Sequence, residues 1–255
     1  MNPTDVANTA APLVPKILKD GSFTLVNEVL HEHYHNWAGA FSEARGHYAE
    51  PACHYLKPVS QRLSVLRLWD VCFGLGYNSF VFIQVLLENL SDFPALQALH
   101  IQAVDSDDRL PALWLAVLEQ AHFERLRQTY DITCSRSSDP LLYHLTFHSD
   151  QAPTVHVHIY IDNALGRIPQ WRVQAKAPVD LIFHDAFSPA KVPDLWSQAL
   201  FTHYAEVLAP AHGCLLTYSL ARRVKNAVEG AGLVWKKLPR LGWKDGAMLA
   251  TLPRI

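Results

Sequence analysis

The sequence predicts an α/β protein: a doubly wound, mostly parallel sheet of about seven strands, with a small N-terminal extension. Three observations carry that expectation. Short apolar runs alternate with helix-length segments between residues 66 and 231, and this order calls for a parallel sheet covered on both faces. The first run ends in Asp70 and passes through Cys72-Phe73-Gly74-Leu75-Gly76 straight into a helix start. Such a turn presents free backbone N–H groups at the carboxyl edge of a sheet. Three later strand-like runs also end in acids, at Asp105, Asp162 and Asp185.

Residues 1–20, rich in Ala, Pro and Asn, read as a loose leader. Residues 21–60 form the extension: β-branched and aromatic stretches over 22–34 suggest a small hairpin, and 37–48 a helix. Residues 61–255 make one further domain. Within it the alternation gives strand 66–71, helix 78–90, strand 99–104 and helix 111–128. Strands 141–148 and 155–161 follow around a Pro-containing turn, then strand 179–184 and helix 194–208. Strand 213–218 precedes helix 221–231, which Gly232 ends. Strands 233–238 and 248–252 close the chain as an antiparallel pair, so the sheet is expected to be mixed.

With 255 residues, 49% hydrophobic and 18% charged, the chain can bury a full core, and extensive disorder is excluded. The longest apolar stretch, 80–87, is far too short to cross a bilayer. The N-terminus lacks the basic and apolar regions of a signal peptide, so a cytoplasmic location is the default. Cys53, Cys72, Cys134 and Cys214 are scattered and indicate neither a disulfide framework nor a thiolate zinc site. Net charge is −2 overall, but residues 219–255 carry +6 and the remainder −8. A basic end on an acidic body suggests a landing surface for a polyanion; a solvated helix face is the alternative.

In a doubly wound sheet, ligands lie beyond the carboxyl ends of the strands. Asp105 stands where a carboxylate can accept hydrogen bonds from both ribose hydroxyls. Asp162 with Asn163 could hold the exocyclic amine of adenine. Each acid taken alone could equally be a helix N-cap. The glycine pattern lacks a third glycine and a following Lys-Ser/Thr, which argues against pyrophosphate cofactors and P-loop chemistry. A nucleoside without phosphates fits better, and S-adenosyl-L-methionine is the leading candidate, its sulfonium stabilised by anionic or aromatic neighbours.

The run Asp185-Ala186-Phe187-Ser188-Pro189-Ala190-Lys191-Val192-Pro193-Asp194-Leu195-Trp196 resembles the signature of the methyltransferase domain of the MnmC family. Cys72 to Asn78 resembles that family's glycine loop, with Cys72 where glycine is usual. Tyr34-His35 and Gly39 to Ala44 resemble its N-terminal block, and Thr217-Tyr218-Ser219 and Gly242-Trp243-Lys244 its closing pattern. Lys244-Asp245 departs from the usual Lys-Arg. The resemblance runs from about residue 20 to the C-terminus and implies a class I, Rossmann-like methyltransferase standing alone, without the oxidase domain of bifunctional members.

It further implies N-methylation of the 5-aminomethyl group of a wobble uridine in tRNA, the last step to 5-methylaminomethyl-2-thiouridine, with a separate oxidase as a possible supplier of the precursor. Asp185 would be the catalytic carboxylate. Glu43, Asp70, Gly74, Gly76, Asn78, Asp105, Asp162 and Asn163 would serve S-adenosyl-L-methionine. Phe187, Pro189, Lys191, Trp196, Arg222, Arg223 and Lys244 would serve the tRNA. Methyl or aminopropyl transfer to a small amine, or a scaffold that binds the cofactor without turnover, are the competing readings.

His31-x-His33-x-His35 would place three imidazoles on one strand face, but no acid or cysteine completes a metal set there. His156-x-His158 reads as one face of a hairpin strand. Ser188 and Ser219 lack a Gly-x-Ser-x-Gly setting, which disfavours a hydrolase. The oligomeric state is not legible.

Overall fold

The structure, a computed structural model, describes residues 14–239 and 246–253. Two small hairpins come first: β1 (Lys16–Ile17) pairs with β2 (Phe23–Thr24), and β3 (Val26–Asn27) with β4 (Glu32–His33). One helical rod follows, made of α1 (Ala40–Ala44), a π-helical turn (Arg45–Ala49) and α2 (Glu50–Leu56). Single π turns inside helices are rare and recur at functional sites. This one carries Tyr48.

The central sheet has nine strands, not seven. They are β5 (Val65–Val71), β6 (Ala98–Asp105), β7 (Asp131–Arg136), β8 (Leu142–His148), β9 (Thr154–Ile161), β10 (Leu181–His184), β11 (Cys214–Thr217), β12 (Val234–Lys237) and β13 (Met248–Thr251). Their order is β12-β13-β11-β10-β5-β6-β9-β8-β7. The five central strands β11, β10, β5, β6 and β9 are mutually parallel, and the outer pairs are antiparallel. The strand that sequence reading misses is β7, an edge strand with no buried residue. Its inner face carries only the half-buried Ile132 and Cys134, too short an apolar alternation to announce a strand.

The strands run outward from β5 in both directions, to β6 on one side and β10 on the other. That reversal opens a crevice at their carboxyl ends, where ligands of such sheets bind. The rod of α1 and α2 and the helix α3 (Tyr77–Glu88) cover one face, and eleven residues of α3, Tyr77 to Leu87, are buried. Helices α6 (Ala164–Gln174), α7 (Gln198–Val207) and α8 (Arg222–Gly230) cover the other.

The expected helix over 111–128 is broken into α4 (Trp114–Leu118) and α5 (Glu124–Thr129), with one 3₁₀ turn before α4 and another between the two. The break lets Trp114 and Phe123 both bury completely against the α3 layer. Helix α6 escapes sequence reading because Pro169 lies inside it and only Ala164, Ile168 and Trp171 are buried. His31, His33 and His35 do not share a strand: His31 sits in a turn with φ 52, and only His33 belongs to β4. Among the described residues no His/Cys/Asp/Glu group is arranged to hold a metal ion. None of their helices is long and apolar enough to cross a membrane.

Candidate active site

A cavity of about 390 Å³ opens at the carboxyl ends of β5, β6 and β10, a volume in the range of small-molecule sites. Its floor is the turn after β5. Gly74 has φ 55 and Gly76 φ 84, left-handed values that favour glycine. A Cβ on Gly76 would also lie 2.6 Å from the Phe80 ring. A Cβ on Gly74 would lie 3.3 Å from the ring of Tyr34. Cys72 adopts φ 65, a left-handed conformation that glycine would hold without strain.

Asp105 ends β6 and closes the turn. Its carboxylate accepts hydrogen bonds from the N–H of Gly74 at 2.7 Å and of Asp107 at 3.0 Å. Burial pushes its pKa up to about 6 against the opposing pull of those N–H groups. Asp185, just past β10, holds two donors: the Tyr48 hydroxyl at 2.7 Å on Oδ1 and the Asn78 amide at 2.8 Å on Oδ2. Burial raises its pKa, and the hydrogen bonds from Tyr48 and Asn78 oppose the rise. Burial and the Asp185 charge push the Tyr48 hydroxyl well above its ordinary value. It therefore remains a donor.

The N-terminal extension supplies the opposite wall. Tyr34 donates to Asp107 at 2.9 Å and sets its ring edge-on to Phe187 at 5.0 Å. Glu32 accepts the N–H of Ser188 at 3.0 Å. The loop after β10 is further fixed from behind, because the Trp196 indole donates to the Phe187 carbonyl at 2.8 Å and Tyr218 to that of Ala186 at 3.0 Å. Among the described residues, four carboxylates, Glu32, Glu43, Asp105 and Asp185, line the cavity, and no Lys or Arg does. A cationic ligand suits that lining.

The structure thus brings Glu43, Gly74, Asp105, Asp185 and Phe187 to one cavity. Other expected residues stand elsewhere. Asp70 is fully buried behind the turn, accepts the Ser79 hydroxyl at 2.6 Å and has its pKa pushed up to about 8 by burial. Asn78 reaches the cavity only through Asp185. Asp162 is committed to Arg167 at 2.6 Å, and Asn163 caps α6 by accepting the Leu165 N–H; neither lines the cavity. The helix-cap alternative describes Asn163 as the structure places it.

Trp196 is buried and serves the loop from behind, while Lys191, Arg222 and Arg223 are exposed and Pro189 half-buried. Lys244 lies outside the described residues. Tyr48 and Glu32 carry no motif-level signal; their partners are 137 and 156 residues away in sequence.

These features agree with what the chain is similar to. Residues 138–253 match the model of a family described as S-adenosyl-L-methionine-dependent methyltransferase. Among curated proteins, the tRNA 5-methylaminomethyl-2-thiouridine biosynthesis bifunctional protein MnmC of Paraburkholderia xenovorans is 25% identical over 247 residues, 93% of this chain and 35% of that protein. The same-named protein of Saccharophagus degradans is 38% identical over 73 residues, 29% of this chain and 10% of that one. The chain therefore spans about a third or less of the length of these relatives. Among solved structures, MNMC2 of Aquifex aeolicus superposes with a TM-score of 0.68 at 21% identity, covering 96% of this chain and 71% of that one, and shares the fold.

Proposed function

We propose that this chain, an S-adenosyl-L-methionine-dependent methyltransferase of the MnmC type, N-methylates the 5-aminomethyl group of a modified wobble uridine in tRNA, completing 5-methylaminomethyl-2-thiouridine. The observation that carries the reading is the cavity that Asp105 and Asp185 line together with two further carboxylates and, among the described residues, no Lys or Arg. Asp105 fits a ribose diol, which offers two hydroxyl donors to an acceptor already oriented by backbone N–H groups. The carboxylates Glu43 and Glu32 and the rings of Tyr34 and Phe187 suit the positive charges of the cofactor.

When bound, the cofactor supplies a methyl group activated on a sulfonium, open to in-line displacement by an amine. What this chain must add is alignment and an unprotonated amine. Alkylamines are largely protonated at neutral pH, with pKa near about 10. Asp185, anchored by Tyr48 and Asn78, would orient the amine and accept its proton. Phe187, held against Tyr34, would form a wall for the base, which an anticodon loop can present splayed from its stack.

Arg222, Arg223 and Lys225 rise from α8, with Lys236 and Lys237 on β12 beside them, and would meet RNA phosphates. The test is incubation with labelled cofactor and bulk tRNA lacking the final wobble methyl, followed by nucleoside analysis. Label in 5-methylaminomethyl-2-thiouridine supports the reading. Label only in added polyamines, or none in tRNA, rejects it.

A further inference from the structure

A second cavity, of about 290 Å³, lies on the α6 side of the sheet, beside the first halves of β5, β6 and β9 and away from the carboxyl edge. Its chemistry follows from strand register. Arg67, His100, His156 and Thr146 are successive cross-strand partners along β5, β6, β9 and β8. The next rung on that face runs Trp69, Gln102, His158 and His144. The rings of His100 and His156 stack at 5.3 Å, and those of His158 and His144 meet edge-on at 4.7 Å.

As neutral rings these pairs stabilise the sheet, but protonation would set like charges directly opposite one another and beside Arg67. Among the described residues no Asp or Glu lines the cavity, whereas Arg67 and Lys176 do. Among the described residues no side-chain hydrogen bond or ion pair engages Arg67, Lys176 or the four imidazoles. The carboxylate of Asp180, next to the lining residue Val179, is taken by the Arg67 backbone N–H at 2.7 Å and by His212 at 2.6 Å.

We propose that this cavity binds a phosphate group, as monoester or diester, through Arg67 and the imidazole N–H groups of His100, His156 and His158. Guanidinium and imidazole are donors matched to an acceptor-only oxyanion. The inference is independent of the methyl-transfer reading and concerns the opposite end of the same strands.

The groups facing these imidazoles are Arg67 from β5, each other across β6 and β9, His144 from β8 and Lys176 after α6. Burial, then His156 and Arg67, hold His100 below the ordinary imidazole range. Burial, then His144, His156 and His100, do the same for His158. A bound anion opposes those effects, so binding takes up protons and tightens as pH falls.

Isothermal titration of the full chain with inorganic phosphate, and with sulfate as a tetrahedral dianion of constant charge, at pH 6.0 and pH 7.5 tests this. About threefold tighter sulfate binding at pH 6.0, with net proton uptake from buffers of different ionisation heat, is expected for one imidazole shifted by a pKa unit. The double variant Arg67→Gln, His156→Gln should lose at least about fivefold at pH 6.0, since each charge-assisted hydrogen bond contributes on that scale or more. Histidine ring NMR shifts in the unmodified protein give a second readout that needs no variant.

No saturable phosphate binding at pH 6.0, ring shifts unmoved by phosphate, or equal affinity in the double variant overturns the site. Competition by a short single-stranded RNA assigns it to backbone phosphodiesters, and its absence to small phosphomonoesters. Binding that persists in Asp185→Asn separates this outcome from any failure of the methyltransferase assay.

Discussion

The crevice beyond β5, β6 and β10 and the histidine-bearing face of β6, β9 and β8 belong to one sheet, yet burial suppresses opposite charges in the two. At the crevice it raises the pKa of Asp70, Asp105 and Asp185; on the histidine face it lowers that of His100 and His158. The surroundings then diverge. Backbone N–H groups, Tyr48 and Asn78 stabilise the carboxylates, so Asp105 and Asp185 can remain charged for a cation. Among the described residues the imidazoles face one another, Arg67 and Lys176, which disfavour their charge until an anion arrives. A fall in pH through 6 should therefore weaken the cofactor site and strengthen the phosphate site.

The largest expected effect is at the reacting end of the crevice. Asp185→Asn should cut turnover by roughly a hundredfold or more, the scale of a positioned acid–base group, and leave cofactor affinity within about threefold. Single-turnover methylation and calorimetry together check it. Unchanged turnover would remove Asp185 from the chemistry.

Next in size is Asp105→Asn, which should weaken cofactor binding by about tenfold or more, as loss of charge-assisted hydrogen bonds does. The raised pKa near 6 fixes the sign of the pH effect. Ribose donors favour the ionised carboxylate, so affinity of the unmodified protein is full above pH 6 and declines as pH falls through it. The asparagine variant should lack that decline. If both proteins decline alike, another group governs the crevice and the opposed pH responses of the two regions dissolve.

Tyr48→Phe is a subtler probe, because it keeps the buried ring and removes one hydrogen bond to the charged form of Asp185. The acid limb of the pH–rate profile should move upward by about half a unit to one unit, matching a net hydrogen bond of about 1 kcal/mol. Above the limb, turnover should fall only about threefold. A limb that stays in place would show Tyr48 to be packing alone.

The fold was legible where periodicity and burial coincide. β5, β6 and α3 read correctly because one or both faces are apolar, as Leu66, Leu68, Leu99 and Ile101 show. β7 and α6 did not, the first being an unburied edge and the second carrying an internal proline. The site was legible in part for a similar reason. Acids at strand ends and glycines in a turn are local patterns, so Asp105, Asp185 and Gly74 could be placed from sequence. Which acid faces the cavity depends on competition with neighbours: Arg167 captures Asp162, and Ser79 with full burial removes Asp70. Tyr48 and Glu32 are set by contacts more than a hundred residues distant, and the π turn that aims Tyr48 has no composition cue.

The smallest effect concerns the turn itself. Cys72 holds φ 65, a conformation that costs an L-residue about 1–2 kcal/mol. Cys72→Gly should relieve that strain, but it also frees the unfolded chain by about 0.4–1 kcal/mol and forfeits the thiol's packing against the α6–α8 core. The opposing terms predict a urea midpoint within about 0.5 kcal/mol of the unmodified protein, and cofactor affinity within twofold, about 0.4 kcal/mol. Cys72→Val keeps the bulk, adds β-branching at positive φ, and should lose about 2 kcal/mol by the same measurement. If valine were tolerated as well as glycine, the left-handed turn would not constrain position 72, and Gly74 and Gly76 alone would shape the floor of the crevice.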